Sequence, residues 1–242
     1  MGELLTLNNR VSGITDSGNR DHNEDNCLML KIDDAYLLAV ADGLGGHAAG
    51  DIASGIAVMK LEEFFKEQYS NEMDNEQIKD LLRDCHERIH DAIIQASVGD
   101  KQGMGTTLVS AFVKNNRAII ANTGDSRSTV VAAGTKFKTK DHSMVQKLLD
   151  RGMIDDETAR YHPMSHIVTH SMGNEFDVDL YETTIDEGEI LVLSSDGLHD
   201  HVDKSVIVKS VTYQKPSEIV RYLYNEALVT TTDNVTIVVY KP

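Results

Sequence analysis

The sequence predicts an α+β fold built on antiparallel β-sheets. Short apolar runs occur in pairs around polar turns, long helical patterns lie between these pairs, and strands and helices do not alternate regularly. A doubly wound parallel sheet would show that alternation, so the antiparallel arrangement is favoured. With 242 residues the chain can bury a sizeable core, and no repeat, low-complexity tract or linker divides it. We therefore expect one domain over residues 1–242.

Two β-hairpins are predicted from the paired apolar runs. The runs and their turns are 27–32 with 36–41 across Asp33-Asp34, and 107–113 with 118–121 across Asn115-Asn116. Asp and Asn tolerate the left-handed backbone conformations that two-residue hairpin turns require.

Three helical patterns complete the predicted elements. Residues 78–96 keep one apolar face, and Asp74 and Gln77 have the spacing of a capping box. A second helix is expected to open near Gly50, and a third follows Pro216-Ser217, which we expect to cap it.

Charge and composition exclude several classes of function. The chain has 23 Lys+Arg and 39 Asp+Glu, a formal net charge of −16, which argues against a nucleic-acid partner and against an anionic membrane surface. Cys27 and Cys85 form no C-x-x-C pattern, so neither a disulfide framework nor a zinc knuckle is predicted. Residues 1–6 fit the loose N-myristoylation template, a short pattern that matches by chance often. We expect a cytoplasmic protein without a lipid anchor.

Carboxylates stand where apolar strands end. Residues 36–41 run into Asp42-Gly43, residues 190–195 run into Asp196-Gly197, residues 118–121 lead to Gly124-Asp125, and Asp233-Asn234 opens the run 235–240. If these ends converge, the carboxylates can all ionise in a dry cleft only when cations neutralise them. Oxygen ligands suit Mg²⁺ or Mn²⁺.

Simpler interpretations of these residues stay open. An Asp-Gly pair usually marks a hairpin turn, although the glycine-rich run after Asp42 is not a return strand. Arg20, close to Asn23-Glu24-Asp25, would offer a bidentate fork to a phosphate, yet most arginines simply lie on the surface. The histidines at 162, 166 and 170 have a spacing that suggests zinc, but Pro163 interrupts any helix there, and we favour an exposed loop.

Six motifs, in this order along the chain, strongly resemble those of the metal-dependent protein phosphatases of type 2C, most closely the bacterial branch. They are Thr15-Asp16-Ser17-Gly18 with Arg20 and Asn23-Glu24-Asp25, then Ala41-Asp42-Gly43-Leu44-Gly45-Gly46-His47, Gly103-Met104-Gly105-Thr106-Thr107, Gly124-Asp125-Ser126-Arg127, Ser195-Asp196-Gly197-Leu198 and Asp233-Asn234-Val235-Thr236. Each motif is weak alone, but the ordered set is specific, and it covers roughly residues 12 to 240.

The resemblance implies a four-layer αββα sandwich, two Mn²⁺ or Mg²⁺ ions with a possible third, and hydrolysis of phosphoserine and phosphothreonine on proteins by a metal-activated water. The metal-binding positions that it implies are Asp42 as the bridging ligand, the Gly43 carbonyl, Asp196, Asp233, Glu24 and Asp25 mainly through water, and Asp125 with Asp196 and Asp200 for a weaker third ion.

The resemblance also implies the catalytic groups. Arg20 would bind the substrate phosphate, and His47 is a candidate general acid, with metal-bound water as the alternative donor. Residues 141–173 would form a flap beside the site. Phosphorylated proteins are the expected partners, a serine/threonine kinase and its substrates among them, and the expected state is a monomer.

The sequence departs from the family pattern at three places. The spacing from Asp16 to Asn23 is one residue shorter than usual, His170 stands where bacterial relatives commonly have Arg, and Thr123 and Thr129 replace apolar or aromatic residues. The departures at the first motif and at His170 support one alternative, a non-catalytic module that docks a kinase or a phosphoprotein. A second alternative, a metal-dependent hydrolase of small phosphate esters or of another partner-switching substrate, would share the site and differ only in the flap. Against the former, every implied carboxylate position is filled.

Overall fold

The computed structural model of the protein describes residues 2–44, 49–160 and 162–242, which form two antiparallel β-sheets flanked by helices. The strands are β1 (Glu3–Thr6), β2 (Val11–Asp16), β3 (Asp25–Ile32), β4 (Ala35–Leu44), β5 (Gly105–Thr106), β6 (Leu108–Lys114), β7 (Arg117–Thr123), β8 (Arg127–Val131), β9 (Thr135–Lys138), β10 (Asp179–Thr184), β11 (Ile190–Ser194) and β12 (Val235–Tyr240). The helices are α1 (Gly50–Gln68), α2 (Asn75–Ala96), α3 (Met144–Asp150), α4 (Asp156–Arg160), α5 (Asp196–His199), α6 (Lys204–Lys209) and α7 (Pro216–Ala227).

The strand order brings distant parts of the chain together. One sheet has the order β1-β2-β12-β11-β8-β9, and the other has the order β10-β7-β6-β4-β3 with β5 paired to β4. The amino-terminal strand β2 therefore lies beside the carboxy-terminal strand β12, with Asp16 opposite Val235. The predicted α+β class with antiparallel sheets and flanking helices is confirmed.

Apolar side chains fill the layers on both sides of each sheet. Leu38 and Val40 of β4 pack with Leu191 and Val238 of the other sheet to form the centre of the sandwich. The alternate residues of β4, such as Leu37, face α1 and α2 instead. A strand buried on both faces is apolar at nearly every position, which is why residues 36–41 show no polar alternation.

Both predicted hairpins are present, and their turns have the expected backbone. β3 and β4 pair on either side of a turn in which Asp33 has φ of 52°. β6 and β7 pair around Asn115 and Asn116, whose φ angles are 50° and 60°. Positive φ at these positions suits the right-handed twist of the flanking strands.

The predicted helices occur, and one predicted cap is wrong. At the start of α2, Gln77 N–H donates to Asp74 Oδ1 at 2.9 Å and Asp74 N–H donates to Gln77 Oε1 at 3.0 Å, the expected capping box. α7 begins at Pro216, but its N-cap residue is Lys215, not the Pro216-Ser217 pair. Proline suits the first helical position because its missing N–H would have no partner there. Within the described ranges, no helix has the length and apolar character needed to cross a bilayer.

Candidate metal centre

Asp25 and Asp42 face each other across neighbouring strands at one edge of the sandwich. They are directly opposite in the β3–β4 register. The backbone of Asp42 is fixed from the other side, because its N–H donates to Thr107 Oγ1 at 2.9 Å and its carbonyl accepts from Thr107 N–H at 2.8 Å. The sheet itself therefore holds two carboxylates side by side.

The Asp25 carboxylate is buried with incomplete hydrogen bonding. Ser195 Oγ donates to Asp25 Oδ2 at 2.7 Å, whereas Oδ1 has no hydrogen-bond partner among the residues that the structure describes. Burial raises the pKa of Asp25 to about 7, against the bonds from Ser195 and Thr236, and the charges of Asp233 and Glu24 raise it further. A buried carboxylate oxygen without a hydrogen bond costs folding free energy, so Asp25 Oδ1 is well placed to bind a cation or a cation-bound water.

Asp42 and Asp196 belong to the same group of charges. Burial is the main cause that raises the pKa of each well above its usual value. Asp25, Asp125 and Asp233 raise both pKa values further, which shows that the structure brings the carboxylates at the four strand ends into one electrostatic group. Bound metal ions commonly stabilise such closely spaced carboxylates by neutralising their charge.

Asn234 holds this edge of the sandwich together, a role that no local sequence pattern indicates. Its Oδ1 accepts from Glu24 N–H at 2.8 Å, and its Nδ2 donates to the carbonyls of Ser17 and His22 at 3.0 and 2.8 Å. Gly197 packs against the same residue: a Cβ there would lie 1.9 Å from the Asn234 carbonyl oxygen. The Asp-Gly pair after β11 is therefore a close backbone approach rather than a hairpin turn.

Gly43 and Glu24 are joined beside the start of α1. Gly43 N–H donates to the Glu24 carbonyl at 3.2 Å, and a Cβ on Gly43 would lie 2.4 Å from the carbonyl carbon of Gly50. The Glu24 carboxylate points to the same place, since a Cβ on Gly50 would lie 2.9 Å from Glu24 Oε2. His47, the candidate general acid, lies outside the described residues.

Arg20 reaches the carboxylate group despite the shortened spacing before it. Its Nη2 lies 2.8 Å from Asp233 Oδ2, and its Nε donates to the Thr232 carbonyl at 2.9 Å. A turn absorbs the missing residue, with Gly18 at φ of 56° and Arg20 N–H bonded to the Ser17 carbonyl. The Arg20 side chain is 57% exposed and can therefore meet a phosphate from solvent.

Asp125 and Asp200 lie on the side of the carboxylate group that faces residues 141–173, the predicted flap segment. Burial raises the pKa of Asp125 to about 7, and the charges of Asp141 and Asp200 add to the shift while Arg127 opposes it. Burial also raises the pKa of Asp200. A cavity of about 410 Å³ opens between these residues and α3, and it borders Asp125 and Asp200 rather than Asp42 or Asp233.

The flap segment is attached to the core at both of its ends. At its first end, His142 N–H donates to the Gly124 carbonyl at 2.9 Å, and near its last end Met172 pairs with Thr106 of β5. Ser143 pairs with Val168 within the segment. His170 packs edge-on against His142, with ring centroids 5.2 Å apart. His162 and His166 lie in turns between these contacts, as the favoured loop interpretation expects.

The donor set fits Mg²⁺ or Mn²⁺ better than zinc. In residues 2–44, 49–160 and 162–242, no three His, Cys, Asp or Glu side chains form a ready-made metal cage. Mg²⁺ does not need one, because it usually keeps several waters and takes only one or two protein carboxylates. The unpartnered Asp25 oxygen and the mutually raised carboxyl pKa values are the observations that favour an ion here.

Comparison with protein families assigns the chain to a known family. The family model described as protein phosphatase 2C matches residues 13–227. The chain belongs to the protein phosphatase 2C family. The serine/threonine phosphatase Stp of Listeria welshimeri is 38% identical over 198 residues, covering 79% of this chain and 78% of that protein. The phosphatase PstP of Mycobacterium tuberculosis is 34% identical over 244 residues, covering 97% of this chain and 45% of PstP.

Solved structures of family members have the same fold. The serine/threonine phosphatase of S. agalactiae superposes with a TM-score of 0.88 at 31% identity, covering 96% of this chain and 99% of that one. The catalytic domain of PstP, solved in complex with 2 manganese ions, superposes with a TM-score of 0.77 at 30% identity, covering 96% and 97%. The predicted enzyme class, a metal-dependent serine/threonine phosphatase of this family with bacterial relatives, is confirmed.

Proposed function

We propose that the carboxylate edge of this protein phosphatase 2C holds two divalent cations, Mn²⁺ or Mg²⁺. Asp42 would bridge them, Asp196, Asp233 and the Gly43 carbonyl would complete the protein ligands, and Glu24 and Asp25 would act mainly through bound water. The observation that carries this assignment is the buried group of carboxylates whose charges raise one another's pKa values, with Asp25 Oδ1 unpartnered in the described chain.

The proposed reaction depends on the bound ions and on three residues of the chain, Arg20, Ser195 and Thr107. When bound, such ions lower the pKa of water from about 15.7 towards 7 and neutralise phosphoryl charge. Arg20 stands at the solvent side of Asp233, where Nη1 and the remaining N–H of Nη2 can hold phosphate oxygens by charge-assisted hydrogen bonds while Nε stays bonded to the Thr232 carbonyl. Ser195 orients the Asp25 carboxylate, and Thr107 orients the backbone of Asp42.

A third, weaker ion is proposed between Asp125, Asp196 and Asp200. Burial is the main cause that raises all three carboxyl pKa values, and the charge of Asp200 raises those of Asp125 and Asp196 further. The cavity gives solvent access to Asp125 and Asp200. The proton for the departing oxygen would come from His47 or from water.

The proposed substrates are phosphoserine and phosphothreonine on proteins, and the proposed cellular role is to oppose a serine/threonine kinase in the cytoplasm. Relatives named serine/threonine phosphatases support this substrate class. We further propose a monomer with one phosphatase domain, in which residues 141–173 form the flap that contacts the substrate beside the phosphate.

The test is hydrolysis of a phosphothreonine peptide by metal-stripped protein, titrated with Mn²⁺ and then with Mg²⁺. Wild type should hydrolyse the peptide only with metal, and Asp196→Asn should not, whereas Asp80→Asn, an exposed carboxylate paired with Arg83, should behave like wild type. Folded wild-type protein that stays silent at millimolar Mn²⁺ would contradict the proposal and favour the binding module.

A substrate panel separates the remaining alternative. Phosphopeptides and phosphoproteins should be hydrolysed with a higher kcat/KM than small phosphate esters, because a protein substrate can also contact the flap. A preference for small esters would contradict the proposed substrate class while leaving the metal centre in place.

A further inference from the structure

The helices that flank the two sheets differ in how their cations are paired. On α1 and α2 every lysine and arginine lies within ion-pair distance of a carboxylate: Lys60, Lys66, Lys79, Arg83 and Arg88. On α6, on α7 and at the residue before α7, none lies within that distance of a carboxylate in residues 2–44, 49–160 or 162–242. These cations, all exposed, are Lys204, Lys209, Lys215 and Arg221. The surface around α6 and α7 therefore keeps its positive charge.

This positive charge is unusual for so acidic a chain. Residues 204–217 contain three lysines and no Asp or Glu, whereas the whole chain has a formal net charge of −16. The negative field over most of the surface repels an acidic partner, whereas these lysines attract one within about 8 Å at physiological salt. A local basic surface on an acidic protein therefore selects both the charge of a partner and the place where it binds.

Aromatic rings and hydrogen bonds join the cations of this region into one surface. Lys209 Nζ lies 5.8 Å from the centroid of the Tyr222 ring, and the ring centroids of Tyr222 and Tyr213 are 5.0 Å apart. Lys241 Nζ donates to the carbonyls of Val211 and Tyr213 at 3.2 and 3.0 Å, which leaves its third N–H for another acceptor. We call the surface formed by these and the neighbouring cations the basic face: Lys209, Tyr213, Lys215, Arg221, Tyr222 and Lys241.

The acids of α7 do not neutralise the basic face. Glu218 Oε2 accepts from Lys215 N–H at 3.3 Å, so its charge is directed at the positive start of the helix. Glu226 is the other acid of α7, and the four cations of the basic face exceed these two acids. A net positive charge therefore remains.

The two tyrosines add hydrogen-bond donors to this charge. Both Tyr213 and Tyr222 are half-buried against the apolar layer between α7 and its sheet. Neither hydroxyl forms a hydrogen bond with a residue that the structure describes. A hydroxyl donates well to a carboxylate, and a ring held by packing loses little conformational entropy on binding. Cations and hydroxyls spaced along one face suit the several carboxylates of an extended acidic segment.

We propose that the basic face docks an Asp- and Glu-rich segment of a phosphoprotein substrate, at a distance from the phosphorylated residue. This inference rests on the proposed function, because the docked protein must also reach the carboxylate edge. Docking raises the effective concentration of the phosphorylated residue at that edge, so it lowers KM without changing the chemical step.

The helix α7 sets the distance that such a substrate has to span. It begins beside the basic face at Pro216 and ends at Ala227, a length of about 18 Å at about 1.5 Å per residue. Beyond its end, the Thr231 carbonyl accepts from Asn19 Nδ2 at 2.7 Å, next to Arg20. An extended chain covers at most about 3.3–3.6 Å per residue, so at least about six residues must separate the acidic segment from the phosphorylated residue.

The experiment compares the hydrolysis of matched phosphothreonine peptides by full-length protein at saturating Mn²⁺. One peptide carries a tail of about six Asp and Glu residues after a linker of about ten Gly and Ser residues. A second peptide has Gln and Asn in the tail, a third has the acidic tail on a linker of about three residues, and a fourth has no tail. Wild type should show a KM about tenfold lower for the first peptide than for the others, with equal kcat. At about 0.5 M NaCl this difference should fall below about twofold.

Two variants with the same change of net charge locate the effect. Lys209→Gln, Lys215→Gln and Arg221→Gln, combined, should reduce the effect of the acidic tail to less than about twofold and leave the KM of the tail-free peptide unchanged. Lys66→Gln, Lys79→Gln and Arg83→Gln, combined, remove three ion-paired cations of α1 and α2 and should keep the full effect. If the first combination does not fold, each of its three single variants should raise the KM of the acidic-tail peptide by about twofold.

The outcomes separate docking from the proposed function. Equal KM values for the acidic and the Gln and Asn tails in wild type, or a tail effect that survives in the basic-face variant, would overturn the docking and leave the phosphatase activity intact. Binding to vesicles of anionic lipid that this variant loses, without a tail effect on KM, would assign the basic face to a membrane and overturn the docking as well. Folded wild-type protein that hydrolyses none of the four peptides would overturn both.

Discussion

Two groups of buried polar side chains, one around His86 and one around Asp25, differ in whether other residues of the chain complete their hydrogen bonds. His86 of α2 lies against the β6–β7 hairpin, with Nε2 2.9 Å from Ser110 Oγ and Nδ1 3.3 Å from Thr123 Oγ1. Thr123 Oγ1 in turn donates to the Asp177 carbonyl at 2.8 Å. Burial lowers the pKa of His86 to about 3, so the ring is neutral and its partners are complete.

The group around Asp25 has the opposite character. Its members are acids whose pKa values are raised by burial and by one another, and Asp25 Oδ1 finds no partner within the part of the chain that the structure describes. A satisfied neutral group stabilises packing, whereas charging an incomplete acidic group costs folding free energy unless a bound ligand neutralises it. The first region therefore maintains the fold, and the second is adapted to bind cations.

The largest expected effect is on catalysis at the incomplete group. Asp196→Asn should lower kcat on a phosphothreonine peptide by on the order of 10³-fold or more, because it removes a charge that the ions require. The stability of the metal-free protein should not fall, since the change also removes repulsion between Asp196 and its neighbours Asp42 and Asp125. Steady-state kinetics at saturating Mn²⁺ and denaturant unfolding measure the two quantities, and Asp42→Asn should behave alike. Full activity in either variant would contradict the metal assignment.

The next effect is on stability at the satisfied group. His86→Ala should lower the free energy of unfolding by about 3 kcal/mol, because it leaves a cavity and two buried hydroxyls without their partner. The specific activity of the folded fraction should stay within about twofold of wild type. Urea unfolding with an activity assay checks this, and exposed His166→Ala is the matched control. A stable His86→Ala protein with low kcat would reverse the proposed roles of the two regions.

A smaller effect is expected at Arg20. Arg20→Ala should raise KM for the phosphopeptide by about tenfold, roughly 1.4 kcal/mol, with a smaller change in kcat, because the side chain contributes mainly to phosphate binding. Arg20→Lys should recover part of the loss, since it keeps the charge without the fork. An unchanged KM would move phosphate binding to other residues.

The smallest expected effect is the pH dependence of the free energy of unfolding of the metal-free protein. The slope of this dependence has opposite signs in the two regions. The pKa of Asp25 is about 7 in the folded state against an ordinary value of 3.8, so the folded state holds the extra proton, and stability is lost as pH rises from about 4 to 7. Relative to Asp25→Asn, wild type should lose about 1 kcal/mol per pH unit between pH 5 and 7.

His86 gives the opposite slope. Its pKa is about 3 in the folded state against an ordinary value of 6.5, so the unfolded chain takes the proton first, and stability is lost as pH falls below 6.5. Relative to His86→Gln, wild type should lose about 1 kcal/mol per pH unit between pH 6 and 4.5. Urea unfolding over pH 4.5–7 measures both differences, and slopes of the same sign would contradict the contrast.

Local sequence signals predicted the elements well. The turns at Asp33-Asp34 and Asn115-Asn116, the capping box at Asp74 and the carboxylates at strand ends all depend on residues close in sequence. The error at the start of α7 is also local, since proline occupies the first helical position and Lys215 precedes it.

The partners of the site residues could not be predicted from local patterns. Asn234 bonds to Glu24 across 210 positions and Arg20 bonds to Asp233 across 213, because β2 and β12 are neighbours only in the folded sheet. Thr123, one of the departures from the family pattern, is a hydrogen-bond partner of buried His86. The Arg127–Asp141 pair likewise depends on where residues 141–150 pack against the sandwich.

The most direct test of the central claim is anomalous diffraction at the manganese edge from crystals of the protein grown with Mn²⁺. We expect two strong anomalous peaks within ligand distance of Asp42, Asp196 and Asp233, with a weaker third peak at Asp125 and Asp200. Manganese peaks elsewhere, or none beside Asp42 while the protein hydrolyses phosphothreonine, would contradict that claim.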